Sequence, residues 1–289
     1  MSGVAALPPV LRAVLWMTLT LGMFALMMIA VRELGQVMST FEILAFRSFV
    51  ALVILLPIAA RIGRSAFATP RLGLHVVRNA VHFAAQYGWI VGITLLPLAE
   101  VTALEFTTPA WAAILAALFL GERIGGHRAV AVVMGLAGVL IILRPGIEAI
   151  DPGALIVLAS AICYASSNVM VKALTRTDRA FLIVLYMQIV QLPLGLVPAL
   201  FDWTSPGWAE APWIILVGVT AIGAHYGIAR AFALVDASVI LPVEFLRLPV
   251  IALIGGVIYG ETLDGFVLVG AAVMFAGNYY SVRREVRRS

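Results

Sequence analysis

Residues 103–122 read ALEFTTPAWAAILAALFLGE, and residues 242–261 read PVEFLRLPVIALIGGVIYGE. Both carry Glu-Phe near the start (Glu105-Phe106, Glu244-Phe245) and close on Gly-Glu (Gly121-Glu122, Gly260-Glu261), a shift of 139 positions. The same shift sets Tyr87-Gly88 on Tyr226-Gly227 and Ala137-Gly138 on Ala276-Gly277; a shift of 140 sets Arg32 on Lys172 and Phe41 on Phe181. An offset held over most of each half marks an internal duplication. It divides the chain into units of residues 1–145 and 146–289.

Composition places both units in a bilayer. The chain is 63% hydrophobic and 12% charged, with a mean hydropathy of +1.06, whereas soluble domains carry about 25% charged residues. Apolar runs broken by charge or by Pro and Gly give ten spans: 12–32, 41–60, 73–93, 98–120, 129–143, 153–173, 181–201, 212–234, 238–259 and 265–282. Roughly 20 residues cross the hydrocarbon core. The first run follows Arg12 and is longer than the apolar core of a signal peptide, so it is read as a retained helix. Five spans is an odd number, so the second unit enters the membrane with the opposite orientation. The expected fold is therefore an all-α integral membrane protein of ten transmembrane helices in two inverted five-helix repeats. Inverted repeats suit alternating access, because exchanging the conformations of two similar halves reverses the open side.

The basic residues give the orientation. With a cytoplasmic N-terminus, the inner loops and ends hold Arg12, Arg61, Arg64, Arg71, Arg123, Arg128, Lys172, Arg176, Arg179, Arg283, Arg284, Arg287 and Arg288, while the outer side holds only Arg32 and Arg144. The positive-inside rule then sets both termini in the cytoplasm. The pI of 9.6 reflects this bias rather than a nucleic-acid partner; the basic tail is an orientation signal compatible with anionic lipid headgroups. Trp203, Trp208 and Trp213 read as an outer interfacial belt. The lone Cys163 can form no internal disulfide and fits no metal spacing, and no cofactor or metal site is expected.

The runs LPLAEVTALEFTTPAWAAILAALFLGERIGGHR (residues 96–128), SVILPVEFLRLPVIALIGGVIYGETL (238–263) and AFRSFVAL (45–52) resemble the drug/metabolite transporter superfamily, EamA-like branch, over nearly the whole chain. The resemblance implies a transporter of the amino-acid and metabolite exporter type in the bacterial inner membrane. It also implies a central substrate cavity lined mainly by spans one, three, four, six, eight and nine.

Four arginines, Arg47, Arg78, Arg230 and Arg247, fall within spans, where a charge is costly and marks function or a buried pair. In span three, Asn79, His82, Gln86 and Trp89 recur at helical spacing on one face. Beside them stands Tyr87, and the repeat-equivalent stretch carries His225 and Tyr226. Span nine places Glu244 and Arg247 three apart, where they can pair along one helix face; Pro242 and Pro249 flank them and make this helix a hinge. Span four repeats the idea with Glu105 and Pro109, but has Thr108 where span nine has Arg247. The site is thus chemically asymmetric. Two readings stay open: Arg247 holds a substrate carboxylate with Glu244 or Glu105 facing an amino group, or Glu244 and Arg247 form a structural pair with Arg47 on Glu105. Trp16 and Phe24 in span one, Tyr164 and Asn168 in span six, and Gln188 and Gln191 in span seven complete the candidate wall. Glu105, Glu244 and His225 are the candidates for proton coupling.

The chain has no HExxH, GxSxG or phosphate-cradling glycine loop, which leaves little for an enzyme. The leading expectation is a secondary transporter exporting a small amphiphilic or zwitterionic, carboxylate-bearing metabolite; the second is an importer of an anionic or nucleotide-like metabolite. Gln86 and His225 mark where the two copies diverge near mid-membrane. Exchanging these two residues is expected to alter substrate selectivity or the pH dependence of transport while leaving the folded yield unchanged. Parallel loss of both would place them in the framework instead.

Overall fold

The structure is a computed structural model that describes residues 8–120, 125–147, 149–174, 176–232, 234–235 and 243–286. Its regular elements are helices: α1 (Pro9–Leu34), α2 (Thr40–Ile62), α3 (Leu72–Leu95), α4 (Leu98–Glu105), α5 (Thr108–Leu120), α6 (Gly126–Leu143), α7 (Pro152–Leu174), α8 (Ala180–Ala199), α9 (Ala211–Phe232), α10 (Arg247–Tyr259) and α11 (Gly265–Val286), with a 3₁₀ turn at Arg64–Ala66. Among the described residues, eight helices are long and apolar enough to cross a membrane, the broken span Leu98–Leu118 counting as one. The 24-residue α3 is not one of them, because His75, Arg78, Asn79, His82 and Gln86, all buried, interrupt its apolar run. Pro242 lies outside the described residues.

Local chemistry sets the helix ends. Pro9 starts α1 in its first turn, where a missing N–H costs nothing. Ser39 and Glu42 form a capping box at α2, and the second oxygen of the fully buried Glu42 accepts from the Thr204 N–H at 2.6 Å. One carboxylate thereby caps a helix and holds the 202–206 loop against it.

The duplication reappears as reciprocal packing. α1 packs on α9 and α3 on α7, two contacts that the repeat shift exchanges; α2 packs on α8 and α6 on α11, two contacts that it maps onto themselves. The detail is reciprocal too. A Cβ at Gly88 would strike Ser160 Oγ and Ile156, and a Cβ at Gly227 would strike Thr20 Oγ1 and the Trp16 carbonyl. Ser160 donates to the Ile156 carbonyl at 2.9 Å, as Thr20 donates to the Trp16 carbonyl at 3.0 Å. Gly138 meets Met274 and the Gly270 carbonyl, while Gly277 meets Met134 and Ala131. Phe106 and Phe245, equivalent in the repeat, stack on each other with ring centroids 4.3 Å apart. Small residues let membrane helices approach closely where apolar burial gives no net drive.

Both central spans break at the same point. Pro109 cannot donate to the Glu105 carbonyl, so α4 stops there, the Phe106 and Thr107 amides turn to carbonyls three residues back, and Thr108 Oγ1 donates to the freed Glu105 oxygen at 2.7 Å. In the other half a turn at Leu246 interrupts the helix before α10, with Pro249 in its first turn. Broken helices at membrane depth are tolerated where protein or a cavity receives the freed groups.

The outer surface suits hydrocarbon. Leu118, Val133, Leu253 and Val257 are each more than 60% exposed, an arrangement favourable against lipid and unfavourable against water. The tryptophan belt is only partly realised: Trp208 is exposed, but Trp203 packs on Phe46 at 5.5 Å and Trp213 packs against the core.

The packing predicts that Gly88→Leu and Gly227→Leu each destabilise the protein by about 1–3 kcal/mol or more through overpacking. Gly22→Ala, where a Cβ meets open space, should leave the melting temperature in detergent unchanged. Equal tolerance of all three would refute the reciprocal contact as a packing constraint.

Candidate functional site: a charged cavity between the two halves

A cavity of about 470 Å³ lies where the two breaks face each other. From α1, Phe24, Met27 and Val31 reach it at helical spacing; α3 contributes His82, Gln86, Trp89 and Ile90. The α4–α5 break presents Glu105, Phe106, Thr108 and Pro109, and the opposite break presents Glu244, Phe245 and Arg247. Tyr164 and Asn168 come from α7, His225 and Ile228 from α9. Two further elements join the spans named by the resemblance: α2 supplies Leu44 and Arg47, and α11 supplies Asn278.

The charges are paired across the halves, not along one helix. Arg247 Nη2 lies 3.2 Å from Glu105 Oε2, and Trp89 Nε1 donates to that same oxygen at 3.2 Å. The guanidinium also lies over the rings of Phe24 and Phe106, at 5.0 and 5.1 Å. Arg247 is thus held by an acid and two aromatic faces. Of the two readings left open by the residues, the structural pairing of Arg247 with Glu244 three residues earlier does not form: a turn, not a helix, joins them at Leu246, so the spacing that would align them does not apply. Arg247 also takes the place of Arg47 as the partner of Glu105. Glu244 lines the cavity with no ion pair among the described residues.

The remaining polar groups form a graded wall. His82 Nδ1 and Gln191 Nε2 are 3.0 Å apart, and Gln191 also donates to the Asn79 carbonyl. If the amide donates, the His82 ring carries its proton on Nε2. The His82 ring packs edge-on against Tyr164 at 5.4 Å. Gln86 Oε1, Arg47 Nη1 and Arg247 Nε are buried without a hydrogen-bond partner. Gln188 and Gln191 serve α8 packing and do not reach the cavity.

The cavity brings together His82, Gln86, Glu105, Tyr164, Asn168, His225, Glu244 and Arg247, with Pro109 beside them. It leaves out Trp16, Tyr87 and Tyr226. Adjacent helix residues point about 100° apart, so when Gln86 and His225 face the cavity, Tyr87 and Tyr226 face away. Tyr87 packs on Phe41 at 4.7 Å, and Tyr226 meets Trp16 edge-on at 5.6 Å. Trp16 lies eight residues before Phe24, roughly 12 Å along the helix, under the Arg230 guanidinium at 5.8 Å. Phe106, Phe245 and Asn278 were not singled out from sequence as site residues. The two phenylalanines were visible as repeat partners beside Glu105 and Glu244, and Asn278 as an isolated polar residue in the last span.

A second polar cluster seals one end of the bundle. Arg32 Nη2 donates to the Leu96 carbonyl at 2.7 Å and to Glu261 Oε1 at 2.9 Å, while Glu261 Oε2 accepts from the Leu98 N–H at 2.9 Å. Tyr259 donates to Glu33 at 2.9 Å. Helix α1, the α3–α4 junction and the α10–α11 loop are tied together there.

The EamA-like transporter family model matches twice, over residues 11–144 and 151–283. The chain belongs to the EamA-like transporter family. This EamA-like transporter is 26% identical to the S-adenosylmethionine uptake transporter of Rickettsia prowazekii, across 97% of this chain and 95% of the relative. It is 31% identical to the riboflavin transporter of Brucella anthropi, across 84% and 88%, and 24% identical to the pseudopaline exporter of Pseudomonas aeruginosa, across 87% and 89%. A solved crystal structure matches 94% of this chain and 98% of its own with a TM-score of 0.63 at 19% identity, which shows a shared fold. The chain is a multi-pass membrane protein of a transporter family.

Breaking the cross-half pair from either side should leave an uncompensated charge, a loss on the order of 3 kcal/mol. Glu105→Gln and Arg247→Gln are each expected to lower the melting temperature in detergent, and the double substitution to recover most of the loss. Additive losses in the double variant would show that the two side chains do not depend on each other.

Proposed function

We propose that this EamA-like transporter is a secondary active carrier that moves a small amphiphilic or zwitterionic, carboxylate-bearing metabolite by alternating access. The observation that carries the reading is the cavity. It lies between the two halves, has the volume of a metabolite site, combines aromatic walls with charged groups of both signs, and is flanked by two broken helices. His82, Gln86, Glu105, Tyr164, Asn168, His225, Glu244 and Arg247 would contact the substrate. Ten transmembrane helices in two inverted units, divided between residues 145 and 146, would supply the exchangeable halves, with Pro109 and Pro249 beside the points that bend. The excess of arginine in alternate loops supports cytoplasmic termini. In that orientation the Arg32–Glu261 cluster closes the outer end, and substrate passage requires it to part.

Export is the first reading, supported by the resemblance to a family that includes exporters of amino acids and other metabolites along with some importers. Uptake is the second reading, favoured by the near-complete coverage of a relative named for S-adenosylmethionine uptake. S-adenosylmethionine and riboflavin each join a planar heterocycle to a polar chain, a shape that the rings of Phe24, Trp89, Phe106 and Phe245 suit at one end. Glu244, the cavity acid without an ion-pair partner among the described residues, is the first candidate for proton coupling, ahead of Glu105 and His225.

Proteoliposome flux tests the reading. Labelled S-adenosylmethionine, riboflavin and aromatic amino acids should include at least one compound moved against its gradient by an imposed pH gradient, and Glu244→Gln should uncouple that movement. Flux indifferent to the pH gradient in the wild type would remove proton coupling; absence of flux for the whole set would remove the substrate class. Ser205→Cys in a Cys163→Ala background should react with an impermeant maleimide from outside intact cells, and Ala68→Cys only after permeabilisation.

A further inference from the structure

Two buried arginines, Arg47 and Arg78, are left over when the ion pairs among the described residues are assigned, and Arg47 is the one that lines the cavity. Arg47 on α2 is 4% exposed, lines the cavity, and has a buried Nη1 without any hydrogen-bond partner. Among the described residues no carboxylate forms an ion pair with it. Two of the acids in the region are otherwise engaged. Glu42, five residues earlier, is committed to Ser39 and Thr204, and Glu105 to Arg247 and Trp89. Glu244 lines the same cavity and makes no ion pair with Arg47.

The surroundings add positive charge. Arg78 lies one helical turn before His82 on α3, and His82 and His225 line the same cavity as Arg47. Arg78 is buried, and its Nη1 is held by Asn79 Oδ1 at 2.6 Å. An unpaired guanidinium at membrane depth is costly, and such groups are retained where they meet a partner or a ligand. Buried donors without acceptors are rare for the same reason.

We infer that Arg47, and not Arg247, is the residue that reads the anionic end of the substrate, donating from its free guanidinium edge to a carboxylate. The proposal deepens the transport reading above and rests on it. A guanidinium fork matches a carboxylate in two parallel hydrogen bonds. Of the arginines lining the cavity, Arg47 alone is without an acid among the described residues, and one such cation matches a monoanion; a phosphate dianion would need a second in the lining, and Arg247 is already neutralised by Glu105. Gln86 Oε1, also buried and without a partner, offers an acceptor for an N–H on the same substrate. A bound carboxylate would satisfy donors that the protein itself leaves unmet.

The test uses the full chain in lipid nanodiscs and works with simple probe compounds, whatever the natural substrate. Thermal melting is followed with phenylacetate against phenylacetamide, L-tryptophan against L-tryptophanamide, and phenyl phosphate. In the wild type the carboxylates should stabilise more than their amides, by an apparent affinity ratio of roughly tenfold to a hundredfold. Arg47→Gln should collapse that ratio towards one, and Arg47→Lys should restore part of it. Without ligand, Arg47→Gln should melt no lower than the wild type, since it removes an unpaired charge, whereas Arg247→Gln should melt lower. A marked loss of stability in ligand-free Arg47→Gln would mark Arg47 as structural and overturn the proposal. So would a carboxylate preference that survives in Arg47→Gln, the absence of any carboxylate effect in the wild type, or tighter binding of phenyl phosphate than of the carboxylates. Flux of a neutral probe with inert carboxylates would retire the Arg47 subsite and leave the carrier standing. Carboxylate binding through Arg47 with no flux of any probe would do the reverse.

Discussion

Gly88 and Gly227 bring α3 onto α7 and α1 onto α9 with backbone against the roots of Ser160 and Thr20. No other side chain leaves room for that approach. Because the two contacts are repeat-equivalent, they fix the relation of the halves to each other as well as two local helix pairs. Within a bilayer, where apolar burial gives little net drive between helices, such close fits carry much of the association. The meeting of Phe106 with Phe245 and the placement of both helix breaks at one central level follow from that relation.

Upon this symmetric frame the chemistry is unequal. Arg247 has Thr108 as its counterpart, so only one half brings a cation to the break, and it is satisfied by Glu105 from the other half. The pair therefore spans the boundary between the two family-matched segments, residues 11–144 and 151–283. A contact of this kind stays intact only while the halves keep one arrangement, and it couples the state of the cavity to the state of the interface. The Arg32–Glu261 cluster does the same at one end of the bundle, joining both halves through side-chain and backbone groups.

The polar residues of α3 reveal the same division from the side of cost. His75, Arg78, Asn79, His82 and Gln86 would be penalised on a lipid-facing surface, and the structure buries all five. His82 is held by Gln191 of α8. Gln86 and Arg47 are left with unmet groups beside the cavity. These unmet groups are the ground on which the proposed carboxylate site stands.

The residues by themselves determined the membrane setting, the duplication and its offset, the helical class, and most of the polar cavity wall. Each of these is periodic or compositional: hydropathy over about 20 residues, a constant shift between copies, and polar side chains on one helical face. His82, Gln86, Glu105, Tyr164, Asn168, His225, Glu244 and Arg247 were legible because polarity inside an apolar span has few places to go. Tertiary structure alone decided who meets whom. Arg247 takes Glu105 rather than Glu244, because the turn at Leu246 breaks the helical register on which the nearer pairing depended. Tyr87 and Tyr226 turn away from the cavity because their neighbours Gln86 and His225 turn towards it, and Trp16 sits too far along α1. Arg47 and Asn278 enter from spans that no linear pattern assigned to the centre. Pairing and direction depend on distances between segments far apart in the chain, which the fold creates and the order of residues does not contain.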